Sequence, residues 1–181
     1  MSRTAIITFG RMNPITVGHE KLVKKVKRIA RLLNATPLVY LSHSNDNRKN
    51  PIPYDLKFSL ARTAFGSVVK RSDARTPLEV LAELDGQYDK IIFVGDKPRA
   101  DQLLPILNRY NGIEYNFKSI KTISAGARTG KNFVDAISAT KMRKYVSQND
   151  YNSFVAGLAT NLKPYGRFVY ELVRKGNENA N

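Results

Sequence analysis

Short apolar runs alternate with stretches in which apolar residues return every three or four positions. This alternation predicts a parallel sheet covered by helices. The run TAIITF at Thr4–Phe9, centred on Ile6 and Ile7, predicts a first buried strand. Leu22, Val26, Ile29 and Leu33 then keep helical spacing through residues 17–34. PLVYLS at Pro37–Ser42 predicts a second strand, residues 53–65 a second helix, and SVVKRS at residues 67–72 a third strand. Thr76 as N-cap and Pro77 at the first helical position open a helix over TPLEVLAELD. KIIFVG at Lys90–Gly95 is apolar through its middle and predicts a fourth, central strand. Residues 99–110 predict a helix that Pro105 kinks or divides, and FKSIKTISAG at Phe117–Gly126 a fifth strand. Three further helical stretches follow at residues 138–148, 150–158 and 164–175, and GNENAN at 176–181 reads as a frayed tail. The expected architecture is a doubly wound α/β fold with five parallel strands, flanking helices and additional C-terminal helices.

A chain of 181 residues fits one full core, so residues 1–175 are expected to form a single domain. The absence of cysteine excludes disulfides and cysteine-ligated metals, and with His19 and His43 as the only histidines a histidine-rich metal site is not expected. MSRTAIITFG passes into a strand with no apolar leader core, and no apolar run approaches the ~18 residues of a membrane span. The expected location is therefore the cytoplasm, without membrane association. Thirty Lys and Arg against fifteen Asp and Glu give a net charge of +15. That surplus favours anionic partners and admits nucleic acid among them. Six cations, Lys21, Lys24, Lys25, Lys27, Arg28 and Arg31, lie on the first helix alone. The sequence lacks both an aromatic-interleaved single-strand platform and a major-groove motif.

The stretch FGRMNPITVGHEKLV, Phe9–Val23, carries the most specific chemistry. In a doubly wound sheet, ligands bind outside the carboxyl ends of strands and against helix N-termini. Phe9 ends the first strand and Gly10 lets the backbone turn there. Arg11 offers a cation, Thr16 a hydroxyl and His19 an imidazole at the start of the helix, while Gly18 keeps that turn open to an anion. Other phosphate and metal motifs fail: no G-x-G-x-x-G follows the first strand, GARTGKN at 126–132 lacks P-loop spacing, and HEKLV has valine where a zinc motif needs histidine.

Thr16-Val17-Gly18-His19 resembles the T/H-x-G-H signature of the nucleotidylyltransferase superfamily, and ISATKMR at Ile137–Arg143 resembles its second signature, I-S-x-T-x-x-R. The two occur in the expected order, and the likeness extends over most of the chain. NPIT before the histidine is similar to nicotinamide mononucleotide adenylyltransferases, as is the basic run SNDNRKNPIPY at Ser44–Tyr54. SAGAR ahead of ISATKMR looks most like small nucleotidyltransferase-like proteins of tailed bacteriophages, which would place the chain in a host cytoplasm. FVGDK holds Gly95 and Asp96 next to each other where the family has Gly-x-Asp.

The resemblance implies a Rossmann-like fold and transfer of a nucleoside monophosphate, AMP from ATP before CMP from CTP, to a phosphate-bearing acceptor with release of pyrophosphate. It assigns catalytic roles to His19, Thr16, Arg143 and Lys49, with Arg48 as a substitute for Lys49. Nucleotide contacts fall to Phe9, Gly10, Arg11, Gly18, Ser138 and Thr140 as well as His19 and Arg143, and acceptor contacts to Gly95, Asp96 and Arg128. It implies Mg2+ bound through the triphosphate, with no protein metal ligand. The contrasting reading is a basic nucleic-acid-binding protein that keeps the fold without catalysis.

Overall fold

The structure is a computed structural model and describes residues 2–46, 48–126 and 132–178. The chain separates into two compact units, Met1–Gly10 with Leu22–Ser42 and Lys70–Arg128, and Arg11–Lys21 with His43–Val69 and Thr129–Asn181.

The first unit is built on four parallel strands, β1 (Thr4–Gly10), β2 (Thr36–Leu41), β3 (Lys90–Gly95) and β4 (Ser119–Ser124), in the order β2-β1-β3-β4. The strands are apolar because both faces are covered. Ala5, Ile7, Phe9, Tyr40, Ile91, Phe93 and Ile120 pack on one face with Val80, Leu81 and Leu84 of α3 (Pro77–Leu84) and Leu107 of α4 (Lys97–Arg109). Ile6, Val94 and the partly buried Ile92 and Ile123 pack on the other face with Val26 and Ala30 of α1 (Val17–Leu32). Thr76 caps α3 by accepting from the Glu79 N–H at 3.2 Å, and Glu79 returns the contact through the Arg75 N–H at 2.8 Å. Helix α4 continues through Pro105 as one element.

The chain winds outward from β1 to β2 and then returns to β3 on the opposite side, which places the switch point between β1 and β3. Both strands end in glycine there. A Cβ on Gly95 would lie 2.9 Å from the Phe93 ring, so packing within the unit demands a glycine at that position.

The expected strand at 67–72 does not form. Gly66 ends α2 (Tyr54–Phe65) at φ 80°, a conformation open chiefly to glycine. A 3-10 turn follows over Gly66–Val68. Beyond it the Lys70 N–H donates to the Val39 carbonyl at 2.9 Å, but no ladder joins this segment to the sheet. Only Val69 of the run is fully buried, and two valines followed by lysine and arginine do not sustain a strand without a ladder. The sheet therefore has four strands rather than five.

The second unit contains α2 and the C-terminal helices α5 (Phe133–Ala136), α6 (Ala139–Ser147), α7 (Tyr151–Gly157) and α8 (Gly166–Glu178), with a 3-10 helix at Thr160–Tyr165. Helix α8 runs to Glu178, so residues 176–178 are helical rather than frayed, and the remaining predicted tail lies outside the described residues. Arg174 pairs with Glu171 at 2.7 Å and with Glu178 one turn on, which holds the last turn together. Gly176 packs on Pro51, where a Cβ would come within 2.2 Å of the proline Cβ. Among the described residues no helix is long and apolar enough to cross a membrane.

Candidate functional site

The loop that follows β1 in sequence is buried from Met12 to Thr16 and is held by its own polar groups. Asn13 Nδ2 donates to the Ile52 carbonyl at 2.9 Å, and Asn13 Oδ1 accepts from the Ile52 N–H at 3.1 Å. This two-way clasp satisfies a side chain that is 1 % exposed. Met12 takes φ 46°, a left-handed conformation that a non-glycine residue keeps only where its surroundings fix it. Residues 15 and 16 lie against the end of α7: the Ala159 N–H donates to the Ile15 carbonyl at 3.3 Å, and Thr16 bridges Leu158.

Helix α1 begins on Thr16, whose carbonyl accepts the Glu20 N–H at 3.0 Å. The Thr16 backbone N–H donates to His19 Nδ1 at 3.0 Å, with the Thr16 hydroxyl 3.1 Å from the same nitrogen. An amide N–H can only donate, so Nδ1 is the unprotonated nitrogen and the neutral ring carries its proton on Nε2. The loop thus sets His19 as an Nε2–H donor. Two neighbours fix this first turn. Glu20 accepts from the Thr160 N–H at 2.8 Å and the Thr160 hydroxyl at 2.9 Å, and Lys21 pairs with Asp135 at 2.6 Å.

The second motif comes to the same loop. Ser138 caps α6 by accepting from the Lys141 N–H at 3.1 Å. One turn later, Arg143 Nη1 donates to the Asn13 carbonyl at 2.9 Å and Nη2 to the Thr140 hydroxyl at 3.1 Å, across 130 residues of sequence in the first case. A Cβ on Gly18 would meet the Ile137 carbonyl at 3.3 Å and the Thr16 hydroxyl at 3.4 Å, so a glycine lets the two motifs approach.

The electrostatics of this corner are cationic. Partial burial holds the Arg143 pKa below the ordinary guanidinium value; the positive charge of Arg11 lowers it further, and the more weakly felt Asp46 opposes both. Asp46 is committed elsewhere: it accepts from the Arg48 and Lys49 N–H groups at 3.1 and 2.6 Å and from Asn50 Nδ2 at 2.5 Å, and these bonds lower its pKa. Two guanidiniums with one occupied carboxylate for company form a pair that an anion would relieve.

Thr16, Gly18, His19, Ser138, Thr140 and Arg143 are therefore brought together, with Arg11 within electrostatic reach of Arg143. Lys49 lies in the Asp46–Asn50 turn with its backbone tied to Asp46, and its side chain makes no hydrogen bond or ion pair among the described residues. Arg128 lies outside the described residues. Phe9, Gly10, Gly95 and Asp96 belong to the sheet unit. Gly10 and Gly95 accept from the Ser42 and Ala125 N–H groups at 3.0 and 2.6 Å, and Asp96 caps α4 through the Arg99 N–H at 3.1 Å. Sequence reasoning passed over Asn13, whose only signal was its place before Pro14, and the anchors Glu20 and Lys21, which resemble ordinary surface charges.

It also passed over Lys57, which is 1 % exposed on α2 and whose pKa desolvation lowers to about 8. Between that value and the free-lysine value of 10.5, the unfolded chain binds a proton that the folded chain has released. Folding stability should therefore rise with pH across this window, by at most about 3 kcal/mol. Urea unfolding of the native chain and of Lys57→Met at pH 7.5 and about pH 10 should show the rise in the first alone. Equal pH slopes would show that Lys57 does not titrate in this window.

Among the described residues no group of three or more histidine, aspartate or glutamate side chains could hold a metal ion. With the Asp46 oxygens already engaged, a divalent cation fits here only as a companion of phosphate oxygens and water.

No protein-family model matches the sequence, and a search of curated proteins returns no match. Among solved structures, a candidate nicotinate-nucleotide adenylyltransferase from Vibrio parahaemolyticus is similar to the chain over 94 % of its length and 98 % of the other chain, with a TM-score of 0.56 and 16 % identity. At that identity the likeness speaks to architecture: the chain has the α/β fold of that protein, a parallel sheet flanked by helices.

Proposed function

We propose that the chain is a nucleotidylyltransferase, transferring AMP from ATP to a phosphate-bearing acceptor. The observation that carries this reading is the meeting of its two motifs on one loop. Thr16 sets His19 as an Nε2–H donor, and Arg143 is hydrogen-bonded to Asn13 three residues earlier. The fold shared with a candidate adenylyltransferase supports the class and favours ATP over CTP.

In the reaction, an oxygen of the acceptor phosphate attacks the α-phosphorus of the nucleotide. A P–O bond forms there, the bond to the β-phosphate bridging oxygen breaks, and its electron pair leaves with pyrophosphate. The protein supplies alignment and charge neutralisation rather than a covalent partner. His19 would donate Nε2–H to a phosphate oxygen, with the Thr16 hydroxyl beside it. Arg11 and Arg143 would bracket the polyphosphate, Arg143 bidentately. The first turn of α6 and the Thr140 hydroxyl would face the leaving pyrophosphate. A magnesium ion bound with the triphosphate would supply further charge neutralisation.

The test is pyrophosphate release from ATP and from CTP across a panel of phosphomonoesters that includes pyridine mononucleotides. Release that depends on both ATP and an acceptor is the expected result. Absence of release with either triphosphate, from protein that folds cooperatively, would overturn the proposal.

A further inference from the structure

Several cations outside the site are held by carboxylates. Lys97 pairs with Asp101 at 2.7 Å, Lys118 with Asp89 at 3.1 Å, and Arg167 and Arg174 with Glu171 at 3.3 and 2.7 Å. Helix α1 differs. No acidic residue occurs between Glu20 and Asp46, and Arg28 and Arg31 make no ion pair among the described residues. Lys24, Arg28 and Arg31 are exposed and follow one another at helical spacing, over about 10 Å of axis.

The neighbouring strand extends this surface. Lys25 Nζ donates to the Ser124 carbonyl at 2.6 Å, so the Lys25 side of α1 faces β4; Arg28 lies one turn further along that side. Strand β4 is at the edge of the sheet. Its Ile123 packs in the same cluster as α1, and Lys121, two residues before, shares that face. Lys121 is exposed and also makes no ion pair among the described residues. Neither α1 nor β4 contains a carboxylate after Glu20 or an aromatic ring of Phe, Tyr or Trp.

We propose that this face, formed by Lys24, Arg28, Arg31 and Lys121, binds double-stranded nucleic acid through its phosphate backbone. Charge self-repulsion on a rigid helix is relieved by a partner of dense negative charge, and a duplex carries one charge per about 1.7 Å of axis. A mononucleotide does not require three cations along α1 and a fourth on β4. Single strands are held by stacking platforms, and this face offers none, so backbone contact without base readout is what it provides.

The measurement is fluorescence anisotropy of a labelled duplex of about 20 base pairs, titrated with the full chain between about 50 and 200 mM salt. Four phosphate contacts give a log–log salt slope of about −3.6, a loss of roughly 150-fold in affinity over that range. The double substitution Arg28→Ala with Arg31→Ala should make the slope shallower by about 2. Lys97→Ala with Arg99→Ala removes equal charge from α4 and should leave the slope unchanged. Circular dichroism melting establishes that each variant is folded. No binding at low salt, an equal loss in both double variants, or tighter binding of the matching single strand would each overturn the proposal.

Discussion

Replacing His19 with alanine is expected to lower the rate of nucleotidyl transfer by about 10^2- to 10^3-fold, the usual effect of removing one donor aimed at developing phosphate charge. The large effect follows from preorganisation. The Thr16 N–H, 3.0 Å from Nδ1, has already selected the ring nitrogen that carries the proton, so no reorientation is needed as charge develops. Stability should change little, by about 1 kcal/mol or less, because the ring is only half-buried and the Thr16–Glu20 bond that starts α1 remains. Single-turnover rates beside urea unfolding of the same preparation test both halves. If turnover per folded molecule persisted in the variant, the ring would be a helix-start fixture and the catalytic assignment would fall.

Arg143→Ala should produce a loss of similar size, about 10^2- to 10^3-fold in kcat/KM, by a different route. The guanidinium reaches the Asn13 carbonyl with one nitrogen and the Thr140 hydroxyl with another, which fixes its plane. Its proximity to Arg11 makes the pair a receptor for bridging phosphate oxygens. Arg143→Lys should recover little, since one ammonium cannot occupy both positions of a planar fork. Comparing the two variants by KM and kcat distinguishes this role from a clasp that merely holds Asn13. A clasp would be largely restored by lysine, whereas a phosphate ligand would keep a raised KM for the nucleotide in both variants.

The helices and most strands were legible because they depend on patterns that local packing obeys. Thr76 before Pro77 marked the start of α3, and Ile6–Ile7 and Ile91–Val94 marked interior strands. The false strand at 67–72 shows the limit of that reading. Two adjacent valines carry β propensity, but whether a strand forms depends on a partner edge, and the segment meets β2 at the Lys70–Val39 bond without building a ladder. The site was legible to the extent that its residues carry unusual chemistry at fixed spacing, as Thr16, Gly18, His19, Ser138 and Arg143 do. Asn13 was not, because an asparagine before a proline usually marks a turn; its clasp on Ile52 exists only when residues 39 apart meet. Lys57 was hidden for a related reason: nothing in a helix sequence distinguishes a buried lysine from the exposed majority.

The fit of Gly176 against Pro51 has a practical bearing on how the protein is handled. A chain shortened before that glycine would strip the cover from Pro51 and slacken the Asp46–Ile52 segment, to which the Asn13 clasp is anchored. A cut at that point in α8 would then be felt at the histidine.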